Sequence, residues 1–171
     1  MKRETKLYNV VFPVWFLLIL PASWIVVIPA NFVIDLLALF LTMKFCKMPD
    51  IGKNLKSAVP KTWILGFAAD LIGAAGMFLA GIGGDYLPGA FGEWFMEHIG
   101  NAVVMNPFET VGGFLWTAFF VALAGFFIYL FNLKFCFNET TLDLSQKKKL
   151  ALSMAVFTAP YLFFLPTTLL Y

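Results

Sequence analysis

The sequence predicts an all-α, polytopic integral membrane protein, a bundle of about five transmembrane helices. Of the 171 residues, 61% are hydrophobic and only 13% are charged, whereas an ordinary soluble domain is about 25% charged. The apolar residues also occur in blocks too long for the core of a soluble domain to bury. We therefore interpret residues 1–171 as a single transmembrane domain.

The longest apolar block covers residues 10–45 and contains one charge, Asp35. As one helix it would be about 54 Å long. The hydrocarbon core of a bilayer is about 30 Å thick, so the block is predicted to cross twice. We place the break near Pro29, Ala30 and Asn31, because proline fits the first turn of a new helix. Pro21 is the alternative position.

The basic residues support a count of five crossings, because cytoplasmic loops collect Lys and Arg. With the N-terminus in the cytoplasm, all twelve basic residues fall on one side: Lys2, Arg3, Lys6, Lys44, Lys47, Lys53, Lys56, Lys61, Lys134 and Lys147 to Lys149. Treating residues 10–45 as one crossing would put five of these lysines outside. The predicted spans are about 10–28, 31–46, 62–84, 110–131 and 150–169. The last span contains Pro160 and Pro166, which leaves a re-entrant segment as an alternative.

The basic inner rim predicts contact with anionic lipid headgroups of the bilayer and not with nucleic acid. A bacterial-type plasma (inner) membrane is the expected location, because the chain carries no recognisable organellar signal. Five helices are few for a complete carrier. We therefore expect a homo-oligomer or a membrane partner protein.

Two acidic residues are predicted to lie inside the membrane. Asp35 is nine residues from Lys44 on the second span, and Asp70 is nine residues from Lys61 on the third. If both lysines mark the inner interface, both carboxylates stand about 13–14 Å above it. An acidic side chain at the centre of a spanning helix costs roughly 2.5–3.5 kcal/mol on insertion, so it normally faces protein or a wet cavity.

The helix faces agree with a buried site. On the second span Asn31, Asp35, Ala38 and Thr42 form one stripe of polar or small residues at helical spacing. On the third span small residues recur beside Asp70, which allows close helix–helix approach. They are Gly66, Ala69, Gly73, Gly76, Ala80 and Gly83. The simplest packing puts the second and third spans at the centre of the bundle.

Two roles fit the acidic pair. Two carboxylates close together in a low-dielectric site do not both ionise easily, and a shared proton or a bound cation relieves the conflict. The candidate ion- or proton-binding residues are Asp35, Asp70, Asn31 and Thr42. Alternatively, each Asp stabilises helix packing through a hydrogen bond to Asn31, Thr42, Thr117 or a backbone carbonyl.

The segment 85–109 is predicted to lie outside, with a short interfacial amphipathic helix between Pro88 and Pro107. Its apolar residues Phe91, Phe95, Ile99 and Val103 recur every four positions. Its acids Asp85, Glu93, Glu97 and Glu109 could gather cations at an outer mouth. The alternative is a solvated helix face that rests on the headgroups, with Trp94 as its anchor. His98 with Glu93 or Glu97 has no diagnostic metal-ligand spacing, so no metal site is predicted.

Enzyme hypotheses have little support. Aspartyl intramembrane proteases also use paired aspartates, but the nearest string to their Gly-x-Gly-Asp motif is GIGGD at 81–85, which misses the spacing. No Ser/His/Asp set, zinc-binding His pair, P-loop or dinucleotide motif occurs in the sequence. An enzyme acting on lipid or peptide is thus the least favoured hypothesis, and no cofactor is expected.

Two functional hypotheses remain ahead of it. The first is a small channel or carrier that moves protons or cations, or uses them to move a solute. In it Asp35 and Asp70 are the titrating pair, Asn31 and Thr42 line the route, and the outer acids raise the local cation concentration. The second is a non-catalytic membrane subunit or scaffold that binds a partner protein or lipid.

Overall fold

The computed structural model describes residues 13–169, and within them it contains helices and connecting turns but no strand. The six α-helices are α1 (Trp24–Phe45), α2 (Ile51–Tyr86), α3 (Gly89–Phe95), α4 (Asn101–Met105), α5 (Val111–Phe131) and α6 (Leu144–Phe157). One turn of π-helix joins α3 to α4 (Met96–Gly100), and another extends α5 (Asn132–Cys136). Short 3₁₀ turns cover Val14–Leu18, Pro21–Ser23, Tyr161–Phe164 and Thr167–Leu169.

Three helical segments of the described chain are long and apolar enough to cross a membrane. They are Pro21–Phe45, Ile51–Tyr86 and Val111–Cys136, with 25, 36 and 26 residues. Each exceeds the roughly 20 residues that a spanning helix needs. The predicted all-helical class is confirmed, but the count of five spans is not.

The first apolar block divides at Pro21 and not at Pro29. Residues Val14–Leu18 form only a 3₁₀ turn, and Pro29 lies inside α1. Pro21 begins the helical segment, where its missing N–H removes no helical hydrogen bond. Pro29 removes one hydrogen bond, but α1 continues through it as a helix. The predicted span 10–28 is therefore not one helix in its described part, and residues 10–12 lie outside that part.

The predicted last span, 150–169, is also interrupted. Helix α6 begins at a capping box, in which Gln146 N donates to Asp143 Oδ1 (2.8 Å) and Asp143 N donates to Gln146 Oε1 (3.1 Å). The helix ends at Phe157, and a 3₁₀ turn follows Pro160. Proline lacks the backbone donor and disfavours a helical residue before it, which explains the break.

The turn between α1 and α2 is shorter than the sequence suggested. Helix α2 begins at Ile51, eleven residues before the predicted span 62–84, so Lys53, Lys56 and Lys61 lie on the helix. The chain reverses over 46–50, where Lys47 (φ 50°) and Asp50 (φ 47°) adopt the left-handed conformation. The two long helices are thus antiparallel neighbours with a tight connection.

The described lysines gather at one end of the molecule. Lys61 Nζ pairs with Glu139 Oε1 at 2.5 Å, and Thr141 N donates to Asn54 Oδ1 at 2.9 Å. These contacts bring the start of α2 to the loop between α5 and α6. The lysines at this end are Lys44, Lys47, Lys53, Lys56, Lys61, Lys134, Lys147, Lys148 and Lys149. We call it the basic end; Lys2, Arg3 and Lys6 lie outside the described residues.

Helix α2 lies at the centre of the described fold, and α5 is its principal neighbour. In the most apolar stretch of each helix, the buried share is 39% for α2, 28% for the α5 segment and 11% for the α1 segment. The predicted packing is therefore wrong for the second span, because α1 lies at the side of the bundle. The small-residue stripe of α2 explains its position, since Gly73 and Gly76 admit Phe120 and Ala124 of α5 at close range.

We predict that Gly76→Ala destabilises the protein by about 1–3 kcal/mol, because overpacking forces a half-buried neighbour, Phe120, to move. A Cβ at this position would lie 2.0 Å from two ring atoms of Phe120. Thermal unfolding in detergent measures the effect. Gly52→Ala on the same helix is the control, because its Cβ would meet no atom within 4 Å. The prediction fails if the two variants unfold at the same temperature, or if adding Phe120→Ala does not relieve the Gly76→Ala effect.

Candidate functional site

Helical register brings Asp35 of α1 and Asp70 of α2 to one place. Asn31 lies one turn before Asp35 on α1, and Gly66 lies one turn before Asp70 on α2. Because the helices are antiparallel, Asn31 faces Asp70 and Asp35 faces Gly66. Asn31 Nδ2 donates to Asp70 Oδ2 at 3.4 Å. The Asp35 Oδ2 atom lies 3.3 Å from where a Cβ on Gly66 would be.

Both carboxylates are buried and poorly partnered. Asp35 is 6% exposed and Asp70 is 8% exposed. The Oδ1 atom of Asp70 is buried without a hydrogen-bond partner, and no hydrogen bond to the Asp35 side chain is found within residues 13–169. Both carboxylates line the same cavity. A buried carboxylate normally has a compensating partner, so this pair is open to a proton or a ligand.

A cavity of about 280 Å³ lies beside the pair. Asp35 and Asp70, with Asn31, form its polar side, and most of the other lining side chains are apolar. They come from the Val14–Leu18 turn (Val14, Leu17, Leu18), α1 (Val27, Ile34), α2 (Gly66), α5 (Ile128) and residues 157–163. The two acidic groups thus lie on one side of the cavity, and most of the remaining wall is apolar.

The interruption of α6 lies at this same cavity. Phe157 ends the helix, and residues 157–163 form one wall. The chain then continues to Thr167, whose Oγ1 donates to Val104 O of α4 at 2.7 Å. The segment that starts at the basic end therefore reaches the opposite end by a broken path, with its break beside Asp35 and Asp70.

The cavity is lined by residues of two buried apolar clusters, Ile128 from one and Leu18 and Phe163 from the other. The cluster toward the basic end contains Leu39, Met43, Phe137, Leu150 and Met154. The cluster toward α3 and α4 contains Trp15, Met77, Phe95, Val103 and Phe163.

Thr42, the fourth predicted site residue, lies elsewhere. It is seven residues from Asp35, which is about 10.5 Å along a helix. Its Oγ1 shares a hydrogen bond of 2.6 Å with Ser153 Oγ of α6. Thr42 does not line the cavity. Thr117 contacts neither aspartate through a hydrogen bond, since its buried Oγ1 has no partner within the described residues.

The acids of the predicted outer mouth are exposed and apart from the cavity. Residues 89–105 form one helical segment, with Phe95 and Val103 buried and Glu93 and Glu97 exposed. Asp85 and Glu109 are also exposed, and none of the four acids lines the cavity. Asp85 lies fifteen residues beyond Asp70 on α2, about 22 Å along the axis.

His98 is placed by aromatic and backbone contacts. Its Nδ1 lies 2.9 Å from Trp94 O, and its ring stacks on Trp94 with centroids 5.1 Å apart. Within residues 13–169 no three His, Cys, Asp or Glu side chains are grouped to hold a metal ion.

One buried polar pair was not predicted from the sequence. Thr62 Oγ1 of α2 donates to Asn132 Oδ1 at 2.8 Å, and Asn132 Nδ2 donates to Ile128 O at 2.9 Å. Both residues are fully buried. The sequence shows a polar residue, Asn132, directly after the apolar block that ends at Phe131, but it does not indicate which of many hydroxyl groups is its partner. The sequence predicts that 14–18 and 157–163 lie within spanning segments, with a re-entrant path as the alternative for the second, so it does not indicate that they form cavity walls.

Comparisons with protein-family models, curated proteins and solved structures found no match. The described fold defines the class, an all-helical protein with three helices compatible with membrane crossing. Function is therefore inferred from the geometry of the site.

We predict that Thr62→Val destabilises the protein by about 1–2 kcal/mol, because it leaves Asn132 Oδ1 buried without a donor. Thr62→Ser should keep most of the stability. The control is Thr117→Val, which removes a buried hydroxyl that has no partner within the described residues and should be neutral or stabilising. Unfolding free energies in mixed detergent measure all three, and equal losses for the two Val variants would contradict the prediction.

Proposed function

We propose that this chain is a multi-pass membrane protein that moves protons or cations, or uses them to move a solute, through a site formed by Asp35 and Asp70. The observation that carries the proposal is the meeting of these two buried carboxylates in one cavity, with Asp70 Oδ1 unpartnered. An acidic group inside a membrane helix is expensive to insert and is commonly functional.

The broken path of the C-terminal segment supports the same proposal. Non-helical backbone at membrane depth is tolerated where it is buried in protein or lines a cavity. Transport proteins use such interrupted helices to build substrate and ion sites near the middle of the bilayer. Here the interruption at 157–163 lines the cavity that holds Asp35 and Asp70.

The proposal includes an orientation. Lysines collect on the cytoplasmic side of membrane proteins, so we place the basic end in the cytoplasm and residues 89–105 outside. The outer acids Asp85, Glu93, Glu97 and Glu109 would then raise the cation concentration on the far side. A bacterial plasma membrane and an N-terminus in the cytoplasm belong to this arrangement, as does contact of the basic end with anionic lipid.

Flux in liposomes tests the function. We predict that the purified protein conducts protons, Na⁺, K⁺ or Ca²⁺, and that Asp35→Asn and Asp70→Asn each lower the flux at least tenfold. Asparagine keeps the size and hydrogen-bonding capacity of aspartate but does not titrate. Asp50→Asn is the matched control, because Asp50 is exposed and lies in the turn before α2. Absence of flux for every ion, with variants as stable as the unchanged protein, would reject the proposal.

The second candidate is a non-catalytic subunit or scaffold that binds a partner protein or lipid. The hydrogen bonds between Asn31 and Asp70 and between Thr42 and Ser153 favour it, because both join neighbouring helices. Polar bonds of this kind stabilise helix packing in membranes. In that case the aspartate variants would lose assembly with a partner or a second copy, and the unchanged protein would show no flux.

Cysteine labelling tests the orientation. Cys46 is exposed at the basic end, and Cys136 is buried. We predict that a membrane-impermeant maleimide labels Cys46 in inside-out vesicles and not in right-side-out vesicles. Cys46→Ser is the control, and Ala90→Cys in that background, at an exposed position of α3, should give the opposite pattern. Labelling of Cys46 from the outside would reverse the proposed orientation.

A further inference from the structure

We infer that the cavity beside Asp35 and Asp70 binds an organic monocation with an apolar body, such as an aryl- or alkylammonium compound. The inference deepens the proposed function, on which it rests, by naming the class of solute that the site takes.

The polar side of the cavity suits a positive charge. Asp35 and Asp70 supply two carboxylates, Asn31 supplies an amide, and no Lys, Arg or His is among the described lining residues. The C-terminal end of α6 at Phe157 also borders the cavity. A helix C-terminus carries partial negative charge, so it adds to the attraction for a cation.

The size and the walls favour an organic cation over a metal ion. The volume of about 280 Å³ is many times the roughly 30 Å³ share of one water molecule. A Ca²⁺ ion takes about six to eight oxygen ligands, and Mg²⁺ keeps an octahedral shell. Beyond the acidic end, the lining is mostly aliphatic and aromatic, with Phe157, Tyr161 and Phe163 on one wall. Such walls bury an apolar body, and aromatic faces attract ammonium groups.

The cavity is accessible from the side of the bundle. Ile34 of α1 and Leu162 of the turn after α6 line it and are 48% and 64% exposed, and Phe157 is 68% exposed. In a bilayer these apolar side chains would face the acyl chains. An amphiphilic cation that partitions into the membrane would therefore reach the carboxylates without crossing a polar surface.

Direct binding tests this inference. Equilibrium dialysis of radiolabelled benzyltrimethylammonium against the full chain in detergent should give saturable binding of one ion per chain at fixed pH. Asp35→Asn and Asp70→Asn should each weaken binding at least tenfold, and Asp50→Asn should leave it unchanged. Gly66→Ala, which adds a Cβ 3.3 Å from Asp35 Oδ2, keeps both charges and should weaken binding less than either Asn variant.

The neutral isostere of the probe, neopentylbenzene, separates charge recognition from simple filling of an apolar cavity. It should compete at least tenfold more weakly than the unlabelled cation. Equal competition, or binding that survives both Asn substitutions, would overturn the inference. Ion flux that depends on both aspartates without binding of the organic cation would overturn the inference but keep the proposed function. Aspartate-dependent binding without any flux would support the site and reject transport of protons or inorganic cations.

Discussion

The burial of two carboxylates inside an apolar helical bundle is the constraint around which the rest of the structure is arranged. Lipid and apolar side chains offer no hydrogen bonds, so each acid needs a partner or a ligand. The antiparallel register of α1 and α2 supplies one partner, because it lets Asn31 donate a hydrogen bond to Asp70. Gly66 permits the approach of Asp35, because a larger residue there would press on its carboxylate. The Oδ1 atom of Asp70 remains unpartnered in the described structure.

The close packing around α2 and the interruption after α6 are linked. The glycines of α2 let α5 come near through Phe120, and the same stretch meets Phe163 beside Gly73. Phe163 lies in the broken segment after α6, so that segment is held against α2 by the small residues. A continuous helix would have to pass Pro160 without its hydrogen bond. The interruption after α6 therefore lies where its backbone groups can face a cavity that also contains polar side chains.

Much of the fold could be predicted from the sequence, since composition and block length indicate an all-helical chain with membrane-compatible helices. The pairing of Asp35 with Asp70 was also predictable, because both lie nine residues from a lysine on neighbouring helices. The choice between Pro21 and Pro29 was not, because proline occurs both in the first turn of a helix and, at the cost of one hydrogen bond, inside a helix. Thr42 shows a second limit: a shared helix face does not imply a shared site when two turns separate the residues.

The electrostatics of the site also suggest how a cation and a proton would be coupled. Two carboxylates without a described basic partner reach neutrality with two protons, or with one proton and one monocation. A net charge of either sign is unfavourable when it is buried in a low-dielectric cavity. Binding of a monocation to the protonated pair would then release one proton, and rebinding of the proton would expel the cation. If the site takes a cation as proposed, the charge balance of Asp35 and Asp70 alone would couple cation binding to proton release.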